Sequence, residues 1–444
     1  MLERLFKLSA NGTTVRTELI AGLTTFAAMA YILAVNPSIL SAAGMPPEAL
    51  ITVTALAAAL GCFLMAYATN YPIALAPGMG TNAYFAFVIC IGMGLPWQAA
   101  LSLTFWNGII FLILSVTGFR TKLAESLPNG VKVGIQTGIG FFIAFIGLKN
   151  AGIIINNEAT LVGIGDLTSA PALLVFGGII LIVALTVRKF PAAILATVVA
   201  LTVIGLLIPD GQGSTVTKFP SEGGLLGLIG LPPSMGETFF KLDILYPFTH
   251  FSVETISLLV TLLMLDLFDS LGTIIGLARR AKLLNAEGKM PKISRALAAD
   301  AVATSIGAFF GTSTTTSYIE SAAGVEAGGR TGLTSVTVGI CFLLALFFAP
   351  LITMIPLVAT TPALVAVGIF MAQGLPDLDF DDLPELASAV ITMLLIPLTF
   401  SVTEGIGLGI ASWIFIMILT GRGKEVPVFS YVIGGLFILF YIVR

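Results

Sequence analysis

FFGTSTTTSYIESAAG, residues 309–324, is too polar at its centre for an ordinary membrane helix, yet apolar segments flank it on both sides. Thr312–Ser317 is a poor helix interior and a good extended segment. Its β-branched and hydroxylated side chains lose rotamer freedom in a helix or compete for its backbone hydrogen bonds. A second interruption, LAPGMGTNAYFAF (75–87), breaks the third apolar segment of the first half, as 309–324 breaks the third of the second half. Paired breaks at matching places are a recurring design of secondary transporters built from inverted repeats, with discontinuous helices near the midplane. Extended backbone at membrane depth is tolerated only where it is buried in protein or lines a cavity. Its N–H and C=O groups would then be open to a polar ligand. A Gly/Ser/Thr-rich patch equally suits a close helix-packing face, and the embedded Glu320 tips the reading towards a site.

Working outward, 57% of the 444 residues are hydrophobic and 10% charged, against about 25% charged in a soluble domain. The chain is predicted to be an all-α polytopic membrane protein with about fourteen spans, at roughly 20 apolar residues each. They are expected near 17–36, 50–68, 72–92, 97–117, 131–150, 170–187, 190–208, 251–277, 296–311, 313–328, 332–349, 352–374, 386–402 and 404–421. A last apolar run, 427–443, suits either a further span or a surface-lying helix. With Arg4, Lys7 and Arg16 placed inside, the loops that become cytoplasmic collect most of the other basic residues: Arg120, Lys122 and Lys132; Arg188 and Lys189; the cluster 279–295; Arg330; Arg422 and Lys424. That is the positive-inside pattern, and it predicts a cytoplasmic N-terminus in the cytoplasmic membrane. Lys218 and Lys241 sit in the long 209–249 connection assigned outside. MLERLFKLSANGTTVRTEL has no small-residue cleavage site after an apolar core and reads as a lead-in rather than a signal peptide.

Intramembrane carboxylates are costly and are functional candidates by default. Asp266 and Asp269 lie three apart in LLMLDLFDSLGT and should share a helix face. Glu320 follows the broken segment directly, and Asp300 lies near the start of its span, where it could equally cap the helix or pair with Arg295. Asp266 could equally serve as a structural partner for backbone donors. Glu254, Glu404, Lys149, His250, Trp97, Trp106 and Trp413 read as interfacial or packing residues. Cys62, Cys90 and Cys341 lie in apolar segments without CxxC spacing, so neither a disulfide nor a metal site is expected. No GxxxxGK[ST] loop is present and a single histidine cannot furnish a hydrolytic triad, so an enzyme is not expected, nor a cofactor or a nucleic-acid partner. A channel lined by polar rings, or a membrane receptor that binds without transport, stays open as an alternative, but two carboxylates beside paired broken helices suit alternating access better than a continuous pore.

At these residues the chain resembles a known family. NGTTVRTELIAGLTTF (11–26), APGMGTNAYFAF (76–87), DLFDSLGT (266–273) and GTSTTTSYIESAAGVEAGGRTGLT (311–334) are similar to the bacterial adenine/guanine/hypoxanthine permeases. These are a subfamily of the nucleobase:cation symporters, which also include the uracil and xanthine permeases. The likeness runs from residue 11 to about 421, and YIESAAG and FDSLGT are its most specific strings. It implies two inverted seven-helix repeats, with short strands in spans three and ten. It also implies a core domain (1–117 and 250–330, with span eleven from 331–444) and a gate domain (118–249 and the rest of 331–444). By motif, Asp269 takes the place of a substrate-binding glutamate of the uracil permeases, Thr273 that of a histidine, and Glu320 that of the glutamate which bonds the base. Ser317, Tyr318 and Ile319 precede Glu320, while Ala83 falls near a position whose backbone contacts the base, with Asn82 beside it. The departures at Asp269 and Thr273 point away from pyrimidines and agree with the purine subfamily. The resemblance further implies proton-coupled purine uptake, with Glu320, Asp269, Asp266 and Asp300 as proton-coupling candidates, and a homodimer in the lipid bilayer. An anion or carboxylate carrier on the related inverted-repeat fold is the runner-up, and a site with Asp269 and Glu320 has the wrong charge sign for it.

Overall fold

A computed structural model describes residues 2–117, 127–209, 214–219, 227–281, 283 and 290–443. Arg120, Lys122, Lys282 and Lys289, used above to orient the chain, lie outside the described residues.

The first span opens behind Thr14, whose hydroxyl accepts the Thr17 amide, and runs as α1 (Val15–Met29) and α2 (Ile32–Leu40) with a break at Ala30–Tyr31. α3 (Pro47–Thr69) starts on a proline and stops at Asn70, which takes the left-handed conformation that Asn tolerates better than most residues. The chain then extends as β1 (Leu75–Pro77) and re-enters a helix as α4 (Met79–Ala83), continued by a π-helical stretch, Tyr84–Gly92. α5 (Trp97–Thr117), α6 (Asn129–Asn150), a hairpin of β2 (Ile154–Asn157) and β3 (Leu161–Ile164), α7 (Ala170–Val187) and α8 (Ala193–Gly205) complete the first half. The second half repeats the plan: α9 (Val253–Arg280), α10 (Ile293–Phe310), β4 (Thr315–Ser317) and α11 (Ser321–Glu326), then α12 (Gly332–Ala345), α13 (Leu357–Met371), α14 (Leu383–Thr399), α15 (Val402–Leu419) and α16 (Val428–Val443).

Ten helices among the described residues are long and apolar enough to cross a membrane, so helices of that length do not reach the expected count of about fourteen. Four further apolar helices, Met79–Gly92, Ala193–Gly205, Leu383–Thr399 and Val428–Leu439, are shorter. At 1.5 Å per residue they fall below the roughly 30 Å of a hydrocarbon core. The segment 313–328, expected as a span, contains only β4 and the six-residue α11. The run 427–443 is helical and packs on α15 and α9.

The helices pack in two sets: α1, α3, α5, α10 and α12 against one another, and α6, α7, α13, α14 and α15 against one another. Lipid is as apolar as leucine, so close helix contact in a membrane depends on small residues that admit the neighbouring backbone. Gly134 of α6 is such a place, because a Cβ there would sit 2.9 Å from the Ala389 carbonyl oxygen of α14. In the other set a buried carboxylate joins the two halves of the chain. Glu18 of α1 is fully buried and accepts the backbone N–H groups of Arg330 (2.8 Å), Thr331 (3.2 Å) and Thr334 (3.2 Å). The hydroxyls of Thr331 (2.8 Å) and Thr334 (2.6 Å) also donate to it. Amides at a helix start lack the carbonyl one full turn back, here the Thr334 amide reaching only as far as Thr331 C=O at 3.2 Å, and a helix N-terminus favours negative charge. Glu18 satisfies both needs.

Candidate substrate site

The two broken segments meet. β1 and β4 pair antiparallel, with Leu75 opposite Ser317, Ala76 opposite Thr316 and Pro77 opposite Thr315. The pairing extends past both strands: Tyr318 N–H donates to the Ala74 carbonyl at 3.0 Å and Gly78 N–H to the Thr314 carbonyl at 2.9 Å. The Tyr318 hydroxyl donates to the Pro77 carbonyl at 2.5 Å, and Ser321 Oγ accepts the Ala74 amide at 3.0 Å. Three residues per strand are too few to be stable alone, and an uncovered sheet edge inside a membrane would leave costly unpaired groups.

One side chain covers each edge. On α3, Cys62 accepts the Leu75 amide and donates to the Leu75 carbonyl through the same sulfur, both at 3.4 Å. On α10, Thr304 does the equivalent for β4, accepting Thr315 N–H at 3.1 Å and donating to Thr315 C=O at 3.0 Å. α3 and α10 hold matching places in the two halves, so the fold's internal symmetry extends to this edge-covering device. Thr304→Val keeps the shape of the residue but strands both groups of Thr315, at about 1–3 kcal/mol for each buried group left unpaired. The variant is expected to unfold at a clearly lower temperature in detergent, while Thr304→Ser stays close to wild type. Equal melting temperatures for all three would refute the edge-covering role.

Behind the strands lies a buried polar network. Asn82 Nδ2 donates to Asn36 Oδ1 at 2.5 Å, and Asn36 Nδ2 to Thr54 Oγ1 at 2.7 Å. Ser313 donates to Asn82 Oδ1, and the Thr314 and Thr81 hydroxyls bond each other. These bonds fix α2, α3, α4 and the approach to β4 into one unit.

The carboxylates distribute unevenly around this frame. Asp269 of α9 and Glu320, which stands at the start of α11, are both partly exposed and close enough to interact electrostatically. The Thr316 side chain of β4 lies next to Asp269. Glu320 Oε1 accepts the hydroxyl of Tyr31 at 2.6 Å, from the break between α1 and α2. Tyr318 is nearly fully buried beside both acids, Ser317 is buried in β4, and Ile319 is 43% exposed with its tip 3.9 Å from a Cβ placed on Gly276 of α9. Thr273 is half-buried one turn beyond Asp269. Glycine is required at the rim: a Cβ on Gly78 would lie 2.8 Å from Thr81 Oγ1 and 2.9 Å from Thr316 Oγ1, displacing the side chain that lies next to Asp269.

The remaining predicted residues lie elsewhere. Asp266 is fully buried and accepts Asn107 Nδ2 of α5 at 3.1 Å; Asp300 is fully buried and accepts the Ser270 hydroxyl. These two acids bind α9 to α5 and α10. Asn82 spends its amide in the network behind the strands, and Ala83 is buried in α4. His250 is exposed and stacks on Tyr246 at 4.4 Å, beside an open cavity of about 540 Å³ that also includes Asp243 and Gln98. Sequence reading passed over Tyr31, Thr316, Thr304 and Asn36. Tyr31 sits in an apolar run, MAYIL, where nothing local marks it, whereas Thr316 lay within the broken segment already singled out.

Most of the chain is similar to known permeases. Residues 16–408 match the Permease family of xanthine/uracil permease type. The chain is 42% identical to the adenine permease AdeQ of Escherichia coli (strain K12), across 99% of this chain and 95% of that one. It is 41% identical to the guanine/hypoxanthine permease PbuG of Bacillus subtilis (strain 168), across 99% of each. In fold it is similar to the transmembrane domain of the cyanobacterium bicarbonate transporter BicA, with a TM-score of 0.65 at 16% identity, over 88% of this chain and 97% of that one. The protein therefore belongs to the Permease family, as a multi-pass membrane transporter and not an enzyme.

Proposed function

We propose that the protein imports a purine nucleobase across the cytoplasmic membrane by proton symport, with its N-terminus inside. The observation that carries this reading is the convergence of Asp269 and Glu320 on the antiparallel pair of strands. A purine is flat and uncharged, with donors and acceptors along its edge. Carboxylates accept from ring N–H or exocyclic NH₂, and backbone amides donate to ring nitrogens or O6. The names of the full-length relatives point to the same ligand class.

One of the two acids takes a proton from outside, binds together with the base, and releases the proton inside. The set containing α1, α3, α5, α10 and α12 acts as the core that moves with the substrate, and the set containing α6, α13, α14 and α15 as the gate it moves past. The likeness to a bicarbonate transporter favours an anion as a second reading. Two carboxylates at the site oppose it, because an anion needs positive charge or donors there.

Uptake of radiolabelled adenine, hypoxanthine, guanine, uracil and xanthine, in cells lacking their own permeases, tests the proposal. Saturable uptake of a purine that collapses with a protonophore is expected. Purine uptake indifferent to the protonophore would remove the proton, and absence of uptake by protein present in the membrane would remove the purine.

A further inference from the structure

Tyr31 is the donor on Glu320 that the family resemblance did not supply. Its side chain is 1% exposed and its hydroxyl reaches Glu320 Oε1 at 2.6 Å. It stands at the junction between α1 and α2, where Ala30 and Tyr31 keep helical φ and ψ, so the helix rather than a flexible loop aims the ring. A carboxylate offers about four lone-pair sites on two oxygens, and the Tyr31 hydroxyl engages one of those on Oε1. A base that presents one N–H can use the remaining capacity. A base that presents two adjacent donors in a plane needs both oxygens together, the bidentate arrangement a carboxylate otherwise favours. Its second donor must then share Oε1 with the Tyr31 hydroxyl, and an oxygen that already accepts one hydrogen bond is a weaker acceptor for the next.

Taking the purine-transport reading as its basis, we propose that Tyr31 sets specificity: by occupying Glu320 Oε1 it disfavours purines with paired donors at that edge. Hypoxanthine and guanine isolate the effect. They share N1–H, O6 and the imidazole ring, and guanine alone adds a 2-amino group next to N1–H. Discrimination by an obstacle to the wrong ligand, rather than by a better fit to the right one, is a common route to selectivity.

The test is the KM and Vmax of hypoxanthine and guanine uptake for wild type and Tyr31→Phe, normalised to the amount of protein in the membrane. Tyr31→Phe keeps the ring and removes only the donor. The guanine-to-hypoxanthine ratio of Vmax/KM is expected to rise about ten-fold, the worth of one charge-assisted hydrogen bond, and to do so through KM. A ratio that does not move overturns the proposal, whether both bases fall together, as a purely structural role requires, or neither changes. Should the variant fail to reach the membrane, competition in the wild type decides. Guanine inhibiting hypoxanthine uptake no more tightly than unlabelled hypoxanthine supports the proposal, and guanine about ten-fold tighter, using its second donor in full, overturns it. A wild type that carries neither base removes the purine reading and this inference with it, whereas purine uptake with an unchanged ratio removes this inference alone.

Discussion

Glu320→Gln is expected to abolish concentrative uptake while leaving the protein in the membrane at its normal level. Gln has nearly the same shape, and its carbonyl still accepts the Tyr31 hydroxyl, so the junction between the α1–α2 break and the start of α11 survives. It lacks the negative charge, which makes a hydrogen bond to a ligand N–H worth about 1.5–3 kcal/mol. It also cannot take up and release a proton. The first loss weakens binding by roughly ten- to a hundred-fold, and the second removes the coupling whatever the substrate concentration. Initial rates and the accumulation ratio of labelled purine therefore check the two losses separately. Wild-type KM and wild-type accumulation in this variant would exclude Glu320 from both roles.

For Glu18→Ala the expected result is loss of the folded protein rather than loss of a site. Five donors converge on this carboxylate, three of them backbone amides at or just before the start of α12, of which the Thr334 amide also reaches the Thr331 carbonyl at 3.2 Å. Each buried donor left unpaired costs about 1–3 kcal/mol, a large share of the roughly 5–15 kcal/mol that holds an ordinary domain folded. Glu18→Gln keeps an acceptor but turns an NH₂ towards other donors, so it should fall between the two. Melting temperature in detergent and the yield of monodisperse protein measure this. An alanine variant as stable as wild type would mean that the donors find other acceptors and that Glu18 does not join the halves.

How much of this was legible beforehand depends on whether the information is local. The breaks at 75–87 and 309–324 were visible because six consecutive Thr and Ser residues, or a Pro-Gly step, disagree with the helical pattern around them. Asp269 and Glu320 stood out because charge in an apolar segment is expensive wherever the segment ends up. Apolar runs also located most of the helices, although they could not say which would be shorter than a bilayer. That depends on where caps and breaks fall in three dimensions, as at α8, α14 and the short α11.

Other features needed the folded chain. Asp266 and Asp269 are alike in sequence, yet one is sealed against Asn107 and the other turns to Thr316 at the strands, because neighbours from α5 and β4 decide which face of α9 is polar. Tyr31 and Glu320 are 289 positions apart, and Glu18 and Thr334 are 316 apart. No pattern along the chain announces such pairs. The sequence carries the energetic demands, namely a charge to satisfy, a backbone to pair, and an apolar face to cover. Which residue meets each demand is settled by tertiary packing, because in a membrane interior no water is available to meet it instead.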